Sequence, residues 1–107
     1  MKLPEDVIIP RDKLTAYLLM PQPKNDKSAF LAQAGFTQEN PDALEAAIRR
    51  LNRENDSTQD HENEYGRFYR VTGVLYGVTD DLDVVTVWIY SAIDGSYRFI
   101  ALKPGKE

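Results

Sequence analysis

The sequence contains no cysteine, which excludes disulfides, thiolate metal sites and cysteine nucleophiles together. It has a single histidine, His61, set among Asp60, Glu62 and Glu64. Histidine-pair catalysis and most zinc sites need more than one imidazole, so both fall away, and His61 reads as a solvated side chain. Long apolar runs are also missing. The stretch Val84 to Tyr90 is interrupted and far shorter than the roughly 20 residues of a membrane span. A secretory leader is not indicated, because Glu5 and Asp6 come early and Pro10 and Arg11 interrupt the next apolar residues. A cytoplasmic protein with no membrane partner is expected.

Positive charge is scarce as well, with 13 Lys and Arg against 17 Asp and Glu, a net charge of -4. That balance works against binding to phosphate backbones, which depends on many cationic contacts, so nucleic acid is not the expected partner. The six glycines are scattered and none leads a Gly-Lys-Ser or Gly-Lys-Thr run, so a phosphate-cradling loop is absent. Ser28, Ser91 and Ser96 lack the flanking glycines of a nucleophile elbow. Asp80, Asp81 and Asp83 cluster in a turn but lack the longer alternating oxygen pattern of a calcium loop. No cofactor and no metal is expected.

What is present suits one globular domain over residues 1–107, with 42% hydrophobic and 28% charged residues. The expected class is α+β, with about three N-terminal helices packed on one face of a C-terminal three-stranded antiparallel sheet. A helical half spans 1–51, a polar connector 52–64 and the sheet 65–103.

Leu14, Tyr17 and Leu18 share one face of a first helix over 10–20, which Pro21 and Pro23 end. A second helix starts near Asn25 or Asp26 and runs to Ala34. Gly35 ends it in the left-handed conformation, which folds Phe36 back on Leu31. Asn40 caps a third helix that has Pro41 at its first position and Leu44, Ile48 and Leu51 on its apolar line. Its outer face pairs Glu45 with Arg49 and Arg50 with Glu54.

The connector 52–64 carries no apolar anchor and reads as exposed and mobile. Strands are expected at about 67–77, 84–92 and 97–102, with a weaker one at Val7 to Ile9. A two-residue turn at Asp94-Gly95 would set Ile89 opposite Ile100, Val87 opposite Leu102, Tyr90 opposite Phe99 and Trp88 opposite Ala101. One sheet face is then aliphatic (Val85, Val87, Ile89, Ile100, Leu102) and is expected against the helices.

The other face carries Thr86, Trp88, Tyr90, Tyr97 and Phe99. Left uncovered, an aromatic patch of that kind marks a protein-binding surface, for a second copy in a homodimer or for another protein. Lys27 stands out less. It lies one turn before Phe30 and Leu31, at a helix N-terminus that disfavours a cation, and reads as a stem lying along the core edge.

The run Asp12-Lys13-Leu14-Thr15 with Tyr17-Leu18-Leu19, followed by Pro21, Lys27, Phe30, Gly35-Phe36, Asn40 and Leu44, resembles an uncharacterised family of small bacterial domains. Its members carry KLxxYLL, then a lysine, a phenylalanine and a Gly-aromatic step, then a hairpin with a TVWI strand. Here that strand is Thr86-Val87-Trp88-Ile89, and Arg98 to Pro104 is the closing segment. Members occur alone or at the C-terminus of phage-head and polymorphic-toxin proteins, which implies a tie to toxin, antitoxin or mobile-element systems.

The layout is also similar to that of metal-independent endoribonuclease toxins that work with Lys, Arg and Tyr. That similarity implies Lys13, Tyr17, Lys27 and Arg98 as catalytic residues. The chain departs from its relatives in having Leu102 and Lys103 before Pro104, where they often place a threonine and an aromatic. The expected function is a non-enzymatic interaction domain, with the ribonuclease-like toxin domain as the alternative.

Overall fold

The chain's second half reads in alternation, and the structure keeps that period. In the computed structural model, which describes residues 1–24 and 26–105, β1 (Ser57–Asn63), β2 (Gly66–Tyr76), β3 (Asp81–Ser91) and β4 (Tyr97–Pro104) form one antiparallel sheet in the order β1-β2-β3-β4. The sheet therefore has four strands, which corrects the expectation of three. The additional strand is β1, STQDHEN, and it lies where a polar connector was expected. It carries no alternating pattern because it is an edge strand with water on most sides, and Ser57 is its one buried residue. Backbone pairing with β2 holds it, from Ser57 opposite Val71 to Asn63 opposite Gly66.

Three helical elements precede the sheet. The first, Lys13–Leu18, is wound wider than an α-helix: Leu19 N–H donates to the Leu14 carbonyl, five residues back, at 2.8 Å. That winding turns Leu14, Leu18 and Leu19 inward and leaves Tyr17 outside at 44% exposure, so Tyr17 does not share the buried face expected of it. Helix α1 (Ser28–Ala32) begins after Asp26, whose carboxylate accepts from the Ser28 amide at 2.9 Å. Asn25 lies outside the described residues. At the other end Gly35 takes φ +89°, and Phe36 N–H returns to the Leu31 carbonyl at 3.2 Å. Both Phe36 and Leu31 are buried, as that cap requires.

Helix α2 (Pro41–Glu54) is the long one, and it buries Leu44, Ala47, Ile48, Leu51 and Asn52. Asn40 precedes it, but the Asn40 side chain faces backward, accepting from Thr37 N–H at 2.7 Å and donating to the Gly35 carbonyl at 2.9 Å. It ties the α1–α2 loop instead of capping α2. The pairs Glu45–Arg49 (3.1 Å) and Arg50–Glu54 (3.0 Å) form on the outer face.

The N-terminal segment crosses the sheet. Met1 accepts two hydrogen bonds from Ser57 of β1, through its amide and its hydroxyl, each 2.7 Å. Ile8 bonds β4 at the opposite edge, donating to the Tyr97 carbonyl at 2.8 Å and accepting from Phe99 N–H at 2.9 Å. Leu3 and Val7 are buried between, so the segment runs over the core side as a strap.

The β3–β4 connection is longer than a two-residue turn. It closes between Ser91 and Ser96 (2.8 Å), with Ala92 to Gly95 outside and Gly95 at φ +71°. The pairing consequently shifts: Tyr90 faces Tyr97, Ile89 faces Arg98, Trp88 faces Phe99 and Val87 faces Ala101, with Ile100 left as a bulge. The extra residue re-aims the rest of β4, so Leu102 faces Thr86 on the core side.

Candidate interaction face of the sheet

Alternation gives the sheet two faces, and the structure assigns them opposite to expectation. Thr86 and Trp88 are 0% exposed, and Phe99 is buried with them, its ring meeting the indole edge-on at 5.3 Å. Helix α2 and the strap lie over this aromatic face. The surface expected to bind protein through Thr86, Trp88, Tyr90, Tyr97 and Phe99 is therefore the core side, and that assignment is corrected. Large aromatic side chains remove more apolar area from water than Val or Ile, and the strap supplies the cover that three short helices lack.

Tyr90 and Tyr97 are half-buried at the end of the same face. The Tyr97 ring lies 4.8 Å from Tyr90 and 5.7 Å from Tyr69, and Arg67 sits over the Tyr90 ring at 5.1 Å. Burial, and then the neighbouring Tyr69, pushes the Tyr97 phenol above its ordinary pKa.

The outward face carries Val85, Val87 and Ile89 on the central strand β3. Beside them stand Phe68 and Val74 of β2, Ile100 of β4 and Ile8 of the strap. None of these is buried, and among the described residues no helix or loop forms a layer over them. The charged residues sharing the face give its direction away. Asp83 alternates with Val85, and Arg98 with Ile100, a parity that was present in the sequence as the signal for water. His61 belongs to this side too: its ring is exposed but stacks flat on Phe68, with centroids 4.4 Å apart and planes 8° apart.

The four residues implied by the ribonuclease similarity do not form one constellation. Lys13 Nζ lies 5.9 Å from the Tyr17 ring and donates to the Ile100 carbonyl at 3.4 Å. Arg98 is engaged with the Asp94 carboxylate at 3.1 Å. That contact and, ahead of it, the Ser96 hydroxyl hold Asp94 down to about 2. Lys27 precedes α1, and no contact joins it to the other three among the described residues.

The family model for DUF6883, a domain of unknown function, matches residues 2–106. The chain belongs to the DUF6883 family. The match extends from the strap to β4, so in this chain the DUF6883 unit takes in helices and sheet together. No curated protein and no solved structure matches it. No described helix of this DUF6883 domain is long and apolar enough to cross a membrane.

Proposed function

We propose that this DUF6883 domain is a non-enzymatic interaction module of the cytoplasm that pairs with a second copy of itself through the outward face of its sheet. The observation that carries the reading is the apolar strip of Val85, Val87, Ile89, Phe68 and Ile100, which lies on the face opposite the core with no layer of described residues over it. A contiguous apolar patch of that kind marks a contact surface in a protein that is otherwise charged at its exterior.

The charges around the strip favour a second copy as the occupant. Lys103 stands on β4 at one edge beside Arg98, which already holds Asp94, and Asp60 stands on β1 at the other, 3.9 Å from Arg70. A two-fold axis along the strands sets the β4 edge of each copy over the β1 edge of its partner, which brings opposite charges together around two apolar strips. In the toxin, antitoxin or mobile-element setting that the resemblance implies, such a module would join two copies of its carrier.

Light scattering on the chromatographed protein tests this. The wild type should have twice the mass of the chain, and Val87→Glu should have the mass of one chain with an unchanged circular dichroism spectrum. A wild type that stays monomeric into the millimolar range overturns the reading.

A further inference from the structure

The strap over residues 1–9 is tied down at its two ends and at one point between. Met1 accepts from the Ser57 amide and hydroxyl at one edge of the sheet, and Ile8 shares two backbone bonds with Tyr97 and Phe99 at the other. Between them Arg49 of α2 holds the strap, its Nη1 donating to the carbonyls of Glu5 and Val7 at 3.2 and 3.1 Å while its Nε bonds Glu45 at 3.1 Å. Lys2 adds an ion pair with Asp56 at 3.3 Å, but both side chains are exposed and such a pair contributes little. Apolar burial comes from Leu3, Val7 and Ile9.

Two features beneath the strap oppose its closure. A cavity of about 140 Å³ lies between Leu3, Pro4 and Val7 of the strap and Arg49 and Asn52 of α2, so the facing side chains forgo contacts that close packing would give them. Asn52 is 5% exposed and neither its Nδ2 nor its Oδ1 meets a hydrogen-bond partner, which is true of no other buried side chain among the described residues. Both atoms are sealed from water while the strap is down. An amide that gives up its bonds to water and gains none in return destabilises the closed form.

We propose that the strap is a lid that opens as one unit while the sheet stays folded, with Arg49 as its latch and the unmet Asn52 amide biasing it toward the open form. Water reaches that amide once the strap lifts, which offsets part of the cost of parting Leu3, Val7 and Ile9 from the core. Opening also bares the β4 backbone at Tyr97 and Phe99 together with apolar surface of the core side, so the strap controls when that edge is available.

The test is amide hydrogen exchange on the whole ¹⁵N-labelled protein at several low urea concentrations. The amides of Ile8 and Phe99 at one edge and of Ser57 at the other all donate across the strap, so a unit that opens together gives them one shared opening constant. That constant should depend weakly on urea and exceed the constant for amides pairing β2 with β3 by about a hundredfold or more. Asn52→Leu should lower the shared constant about tenfold, and Arg49→Met should raise it by a similar factor. Should either variant fail to fold, the wild-type pattern and the other variant decide. Strap amides that exchange only as slowly as the β2–β3 pairs, unrelated constants at the two edges, or a shared constant unmoved in a folded variant overturns the proposal.

Discussion

The indole Nε1 of Trp88 donates a 2.9 Å hydrogen bond to the hydroxyl of Thr86, two residues back on the same strand and on the same face of the sheet. Thr86 in turn donates to the carbonyl of Val71, its cross-strand neighbour, at 3.1 Å. The polar end of the largest aromatic residue is thus satisfied inside the core, and the tryptophan can be wholly buried without cost to its N–H.

Thr86→Val should keep the volume and remove the acceptor, leaving the indole N–H buried and unmet. A loss of about 1–3 kcal/mol in urea-induced unfolding is expected. Wild-type tryptophan emission should be that of an indole shielded from water, and a water-exposed spectrum would contradict the burial of Trp88.

Gly66 opens β2 at φ +146°, and a Cβ built there would stand 2.0 Å from the Tyr90 carbonyl oxygen. A side chain at such a backbone angle costs about 1–3 kcal/mol before any clash is counted. Gly66→Ala should therefore destabilise by at least about that amount in chemical denaturation. An unchanged midpoint would mean that the turn before β2 adopts another shape.

Replacing residues 57–63 by a Gly/Ser linker removes β1 and exposes the edge of β2. Cross-strand pairs contribute about 0.2–1 kcal/mol each, so a loss of about 1–3 kcal/mol is expected. The amides of β2 that face β1 should exchange hydrogen slowly in the intact protein and fast in the variant. Equal exchange in both would show that the strand contributes nothing.

Asp94 accepts from the Ser96 hydroxyl and from Arg98, which holds its carboxyl down to about 2 in the folded protein against an ordinary 3.8. A group whose pKa is depressed on folding adds stability above its unfolded value and loses it as the pH falls toward the folded one. Asp94→Asn should accordingly melt slightly below the wild type at pH 6, and the gap should close between pH 3.8 and about 2. A gap that is constant across that range would show that the carboxylate is not stabilised in the fold.

The sequence displays the elements whose stability comes from local pattern. Helix α2 shows its Pro41 start and its Leu44, Ile48, Leu51 line, and α1 shows Gly35 as its stop. Three of the four strands are visible through their β-branched and aromatic alternation. β1 is invisible because an edge strand of STQDHEN is defined by its neighbour's unpaired amides and not by its own side chains. The hairpin register fails for a similar reason, since Asp94-Gly95 sits within a longer loop and Ile100 bulges.

The choice of face was written in the charges. Thr86 could have marked either side, whereas Asp83 and Arg98 could not both have been buried without partners. The Asn52 cavity is not legible at all, because it exists only where a distant N-terminal segment lies against α2.

That same segment has a consequence for the order in which the protein matures on the ribosome. Ile8 is held by the backbone of Tyr97 and Phe99, partners that emerge about ninety residues later, so the strap must wait for β4 before it can dock. Closing a loop of that length is entropically expensive and kinetically slow. Until it closes, the part of the Trp88 side that α2 leaves uncovered is exposed to water, and the interval between synthesis and docking is when this domain is most prone to aggregate.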